Sequence, residues 1–300
     1  MIWSNFIPGI IFLSLIGPGI VGNLLIFVGH VYTFVMGSEK KPIDLILIHL
    51  ASANTIIICT QGSKAITVAF HLRNFLGNVG CKIVVYLGRV ARGLSICTTC
   101  LLSVVQAITI SYRTNSWRKL KPQTVWQVLP YLLLFWVFNF LISSNLLYYI
   151  TAVDSLNRST IRLYIGYCYM LPSRKIVRWL FPTLMALWDI IFQSVMGWNS
   201  GYLAFRLYKH HKCVLYLQNS RFQRNPSPEI RATQSVLILM TCFLFFYWTD
   251  FIFSFYIGYF LANKYKILNV KIFLTSGYAS LSPFVLIIRD ANMAKCWRAH

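Results

Sequence analysis

The chain has 300 residues, of which 57% are hydrophobic and only 12% charged, where a soluble domain carries about 25% charged residues. A formal net charge of +21 would suit a nucleic-acid partner, but the basic residues stand mostly between long apolar runs, which favours lipid and excludes nucleic acid. Eight cysteines in a chain of this length do not make a disulfide framework, and the apolar start carries no basic region before it, so the first run is expected to act as a signal anchor.

A bilayer core of about 30 Å needs about 20 apolar residues in a helix. Stretches at approximately 6–36, 43–70, 81–110, 125–150, 179–205, 232–259 and 272–288 are predicted to supply seven spans. No linker or second domain interrupts them, so residues 1–300 read as one all-α, seven-transmembrane helix bundle. The half-chain symmetry of a small transporter or channel is not visible, nor are broken helices near the midplane. Lys and Arg number 15 in the segments following the odd spans and in the tail, against 10 on the other face. That bias predicts an extracellular N-terminus and a cytoplasmic C-terminus for a multi-pass plasma-membrane protein.

The second span holds Lys64 near its outer end, where a long side chain can snorkel to the headgroups. The third opens at Cys81 and contains "YLGRVARGLSICTTC" (86–100). Arg89 and Arg92 are three residues apart and share a helix face, about 12 and 17 Å below Cys81. Cys97 and Cys100 form a C-x-x-C without a companion pair and read as packing rather than as a zinc or redox site. The outer segment 151–178 carries the sequon Asn157-Arg158-Ser159 and Cys168. Both features suit an exterior face, and Cys81 and Cys168 are expected to form a disulfide; the alternative is two free thiols. Asp189 lies ten residues past Trp179, about 15 Å into the fifth span. Asp250 reads as nearer the outer edge of the sixth. Cys296 is a weak palmitoylation candidate.

A charge at the depth of Arg89 and Arg92 normally faces a bundle interior or a wet cavity and has a partner. One reading is a buried ion pair that fixes helix packing; the other is the polar floor of a ligand cavity, and both can hold. The two arginines are expected to line an outward-opening cavity, with at least one paired to Asp189. The floor would then be nearly neutral, and the second arginine would meet a ligand carbonyl, sulfate or carboxylate. Tyr86, Trp188 and Phe192 are the expected apolar walls. On the inner face, Arg113, Arg118, Lys119, Arg206, Lys209 and Arg231 read either as ordinary positive-inside bias facing anionic lipid or as a docking cleft for a cytoplasmic partner. His210 and His211 lack further ligands and read as solvated. No nucleophile–base pair, HExxH or P-loop appears, so no enzymatic activity, metal or cofactor is expected.

Longer strings narrow the choice. "GCKIVVYLGRVARGLSICTTCLLSVVQAITIS" (80–111), "KPIDLILIHLASAN" (41–54), "SPEIRATQSVLIL" (227–239) and "SPFVLIIRD" (282–290) match strings of the type-1 vomeronasal (pheromone) receptors in the right order, and the chain resembles that family. The resemblance implies a rhodopsin-like bundle that binds small airborne or urinary chemosignals in its outer half and couples to a Gi/Go-type G protein. It also implies a bridge at Cys81 and Cys168, a glycan at Asn157, and functional third-span arginines and a fifth-span aspartate at Arg89, Arg92 and Asp189. Three positions depart from the family pattern: Gly88 stands for a histidine, Tyr112 for a proline, and Lys64 lies where a proline-containing "GxPQT" is expected. A bitter-taste receptor is the rival within receptors, and its third-span pattern is not the one at 86–100.

Overall fold

The computed structural model describes residues 3–37, 40–69, 77–110, 124–152, 164–165, 168–170, 175–217, 228–259 and 264–289. Within them the helices are α1 (Trp3–Met36), α2 (Pro42–Ala69), α3 (Gly77–Ile110), α4 (Val125–Ser143), the short α5 (Asn145–Tyr149), α6 (Lys175–Leu217), α7 (Pro228–Tyr259) and α8 (Lys264–Arg289). Strands β1 (Ile150–Ala152), β2 (Tyr164–Ile165) and β3 (Cys168–Met170) form a small antiparallel sheet in the order β1-β3-β2.

Apolar runs become helices because lipid offers no hydrogen-bond partner, so each span must satisfy its backbone internally. Among the described residues five helices hold a stretch long and apolar enough to cross a bilayer: α1, α2, α3, α4 and α8; α7 adds a shorter apolar stretch, Leu237–Phe253. The fold is an all-α membrane bundle. Prolines mark two starts, Pro42 of α2 and Pro228 of α7; at the first helical position a missing N–H costs nothing. Helices α6 and α7 run past the apolar stretches 179–205 and 232–259, because a helix needs lipid-compatible side chains only while it is in lipid.

Helix α4 displays the logic of a lipid-facing element. Its Leu133, Leu134, Val137 and Leu141 are exposed, Leu141 by 66%, while the polar Asn139 is 1% exposed. Serines and threonines inside the spans return their hydroxyls to the preceding turn, as Ser52 does to Ile48 O, Thr55 to Ala51 O and Ser276 to Ile272 O.

Helix α3 is the axis of the bundle: 78% of its spanning window is buried, against 22% for α1. It packs on α2, α4, α6, α7 and β1. Gly93 permits one of these contacts, since a Cβ there would overlap the side-chain amide of Asn139 on α4. Polar side chains join the helices where the core is driest. Ser95 donates to Asn54 Oδ1, and Asn54 Nδ2 donates to Ser282 Oγ, tying α3 to α2 and α2 to α8. Thr99 and the Tyr278 hydroxyl meet at 3.1 Å. In α8, Pro283 has no N–H to give to Ala279 O, and the carbonyl accepts instead from Asn23 Nδ2 of α1 at 2.9 Å and from Ser282 Oγ at 3.3 Å.

A disulfide joins Cys81, in the second turn of α3, to Cys168, the first residue of β3, with Cα atoms 5.6 Å apart. Val85, Leu146 and Ile150 pack around it. Since Cys168 also pairs with Ala152 and Ile165 across the sheet, one covalent bond fixes the whole sheet to the end of α3. That end is called the bridged end below.

Candidate functional site

Arg92 is the centre of the polar cluster. Its Nη1 lies 2.9 Å from Asp250 Oδ2 on α7, and its Nη2 lies 3.7 Å from Asp189 Oδ2 on α6. The guanidinium sits 5.4 Å over the ring of Tyr247, one turn before Asp250 on α7. Thr275 of α8 donates to the other oxygen of Asp250 at 3.2 Å. Helices α6 and α7 therefore converge on one guanidinium of α3, and α8 braces one of its carboxylates. The fork of an arginine suits this task, because its nitrogens are held in one plane and can face two carboxylates at once.

Arg89, one turn closer to the bridged end, feels both Arg92 and Asp189 but makes no ion pair with a described residue. Lys271 stands in the first half of α8 and lies within Coulombic reach of Asp250, Arg92 and Arg89. Lys64 of α2 lies within reach of Lys271. Its ammonium is directed at α3, 3.8 Å from where a Cβ on Gly88 would stand, rather than out to the headgroups. Among the described residues, four cations and two acids thus lie within Coulombic reach of one another in a chain from Lys64 to Asp189. The floor expected at Arg89, Arg92 and Asp189 gains a second acid in Asp250, and Lys64, expected to snorkel, lies beside α3.

The aromatic residues take a different part. Trp188, next to Asp189, stacks on Phe138 with centroids 3.7 Å apart and meets Phe192 at 4.6 Å. Its Nε1 donates to Cys97 Sγ at 3.3 Å, so the first cysteine of the C-x-x-C is an acceptor within the packing of α3 on α6. Phe192 reaches Phe135 at 5.7 Å. Tyr86 stacks on Phe140 of α4, and its hydroxyl donates to the Phe140 carbonyl at 3.4 Å. These three side chains pack α3, α4 and α6 together beside the charges; the ring that touches Arg92 is Tyr247.

Two members of this site were missed in the sequence, Asp250 as a principal partner and Lys271. A signal for the first was present. Asp250 is nine residues before Tyr259, the last residue of α7, so the rise of about 1.5 Å per residue gives about 14 Å, close to the depth of Asp189. Nothing in the sequence marked Lys271, which follows the polar stretch "NKYK" and a short apolar one.

On the opposite end of the bundle, Arg206 Nε donates to the Tyr202 hydroxyl at 2.9 Å and Lys209 is exposed. Arg231 is in the first turn of α7. Arg113, Arg118, Lys119, Asn157 and Tyr112 lie outside the described residues, as does Cys296. Cys100 is buried with Cys97. His210 and His211 are in α6, and no cluster able to hold a metal occurs among the described residues.

The family described as "Vomeronasal organ pheromone receptor family" matches residues 6–299. Similar proteins include vomeronasal type-1 receptor 4 of Homo sapiens, 32% identical over 290 residues that cover 97% of this chain and 96% of the relative. Vomeronasal type-1 receptor 100 of Rattus norvegicus is 33% identical over 94% of this chain and 86% of its own length. Vomeronasal type-1 receptor 43 of Mus musculus is 33% identical, with coverage of 99% and 89%.

Proposed function

The chain belongs to the vomeronasal organ pheromone receptor family, and on that premise we propose that it binds a small pheromone-like molecule at the bridged end and activates a Gi/Go-type G protein at the other. The N-terminus and the bridged end face outward in this reading, and the C-terminus is cytoplasmic. The observation that carries the ligand site is the cluster of ionised side chains around Arg92. Charges are costly in a bilayer and persist where they line a wet cavity or a pathway, and this cluster lies in the half of the bundle that the disulfide closes. Arg89, Arg92 and Asp189 supply its polar floor, with Tyr86, Trp188 and Phe192 packed beside it. The G-protein cleft is formed by Arg113, Arg118, Lys119, Arg206, Lys209 and Arg231, supported by the density of positive charge at the ends of the third, fifth and sixth spans.

The test is expression in cells that supply either Gi/Go or a promiscuous G protein, with a panel of odorous acids, steroids and urinary volatiles. At least one compound should evoke a response that pertussis toxin abolishes in the Gi/Go cells. A receptor verified at the surface that answers only through other G proteins rejects the coupling, and one that answers to nothing through any G protein rejects the receptor role for this ligand class.

A further inference from the structure

The two carboxylates that face Arg92 are not held alike. Asp250 is closed: its Oδ2 lies 2.9 Å from Arg92 Nη1, the Thr275 hydroxyl donates to its other oxygen at 3.2 Å, and its side chain is 1% exposed. Asp189 is open. Its Oδ2 stands 3.7 Å from Arg92 Nη2, beyond the ~2.7–3.2 Å of an N–H···O hydrogen bond, and no described residue donates a hydrogen bond to it. Arg89 lies within Coulombic reach and adds attraction without supplying a donor. Nearby donors are committed elsewhere: Trp188 Nε1 to Cys97 Sγ, and Thr275 Oγ1 to Asp250 and Lys271 O. The side chains of Arg92 and Asp189 keep 21% and 11% of their surface open. Asp189 shares the buried face of α6 with Gln193 and Met196, so that open surface belongs to the interior of the bundle and not to its lipid side.

We infer that the gap between Arg92 Nη2 and Asp189 Oδ2 is a hydroxyl-recognising subsite, which takes the O–H of a small neutral alcohol with an apolar body. The hydroxyl oxygen accepts from Arg92 and its hydrogen is donated to Asp189, so one group completes a contact that the two side chains leave long. Recognition here calls for a neutral group that both donates and accepts, and a hydroxyl is the smallest. A ketone or an ether sets lone pairs against Asp189. An ammonium meets Arg92 and a carboxylate meets Asp189, each a like charge at a site shielded from water. Trp188, next in sequence to Asp189, and Phe192 in contact with it give apolar surface beside the gap. A polar contact this long is otherwise bridged by water; an alcohol makes the same two bonds and buries its hydrocarbon as well. The inference rests on the receptor reading and narrows its ligand to alcohols.

The experiment uses the full chain, purified in detergent, and reads its thermal unfolding with probes that share an apolar body. These are 4-tert-butylcyclohexanol against the matching ketone, methyl ether, amine and carboxylate, and 1-nonanol against nonanal and 1-methoxynonane. At least one alcohol should raise the melting temperature of the native chain, with an affinity about tenfold or more above its carbonyl and ether counterparts. Asp189→Asn replaces an acceptor by an amide that also donates, so the carbonyl probes should gain on the alcohols and the preference should shrink or reverse. Asp189→Glu is one methylene longer and closes the gap to Arg92 itself; it should melt no lower than the native chain without probe and lose the alcohol response. If Asp189→Asn fails to fold, the native series and Asp189→Glu decide. The subsite is overturned if neither alcohol stabilises the native chain, which leaves the gap to water. It is also overturned if ketone, ether or ion stabilises as well as alcohol, or if the alcohol response survives unchanged in either variant. Cells that respond to carbonyl compounds or acids but to no alcohol would keep the receptor and lose this subsite. Alcohol stabilisation in a protein that activates no G protein would do the reverse.

Discussion

The guanidinium of Arg92 lies 2.9 Å from the carboxylate of Asp250, and this pair, in the middle of the bundle, ties the central helix α3 to α7. The side chains of Arg92 and Asp250 are 21% and 1% exposed, so removing either partner leaves the other charge inside the bundle without its shortest contact. Breaking a buried pair from one side costs about 3–5 kcal/mol. Asp250→Asn is therefore expected to abolish surface expression, or to lower the melting temperature sharply in detergent. Asp189→Asn removes a longer contact and is expected to cost about 1–2 kcal/mol. The exchange Arg92→Asp with Asp250→Arg should recover part of the expression that either single change loses. Equal damage from Asp189→Asn and Asp250→Asn would contradict this ranking.

The disulfide closes a loop with a sequence separation of 87, and chain entropy assigns such a closure about 4–5 kcal/mol. Cys81→Ser and Cys168→Ser are expected to reduce surface expression equally, and the double variant should be no worse than either. Peptide mapping without reductant should recover the two cysteines on one cross-linked fragment. Both thiols alkylated in the native protein would refute the bridge.

Gly93 and Asn139 occupy one another's space at the α3–α4 contact. Adding a methyl group to so tight a site forces the helices apart, at a cost of about 1–3 kcal/mol. Gly93→Ala is expected to destabilise the protein by that amount in thermal unfolding. Combining it with Asn139→Ala should recover part of the loss, although the Asn139 bond to Phe135 O is then gone. Additive effects in the double variant would mean that the two residues do not touch.

Asn157 and the inner basic residues test orientation from opposite sides of the membrane. Glycosidase treatment of the full chain from eukaryotic membranes should increase its gel mobility, and Asn157→Gln should abolish the shift. Neutralising Arg113, Arg118, Lys119, Arg206, Lys209 and Arg231 together should suppress G-protein activation while leaving surface expression intact. A glycosylated protein that couples normally after neutralisation would keep the orientation and remove these residues from the cleft.

Helix positions were largely legible in the sequence because lipid imposes a length and a composition on every span. The depth of Asp189 was legible too, since rise per residue converts position into distance. Rotation about each helix axis was not. Asp250 has a depth close to that of Asp189, but only the packing of α7 on α8 turns it toward Arg92, with Thr275 behind it. Lys271 follows a polar stretch and reads as a loop residue; α8 begins at Lys264 and carries it into the bundle. Lys64 has length enough to reach the headgroups, and its ammonium instead lies beside α3, 3.8 Å from where a Cβ on Gly88 would stand. Trp188 and Phe192 were legible as aromatic and near the site, but their rings fill the seams between helices. In each case the missing information is which neighbour a face meets, and that is a property of the assembled bundle.

Pro283 leaves Ala279 O without its ladder donor, and two side chains donate in its place: Asn23 of α1 at 2.9 Å and Ser282 of α8 itself at 3.3 Å. A bond within one helix is indifferent to where other helices go; the bond from Asn23 exists only while α1 stays in place. Asn23 also donates to Gly19 O of its own helix at 2.8 Å, so a single amide clamps the two backbones together. The stiffness of α8 at this joint is thus lent to it in part by α1. Any motion that slides the two helices past each other removes the shorter of the two bonds that stand in at the proline, and the joint works as a latch with one catch on its own helix and one on a different part of the chain.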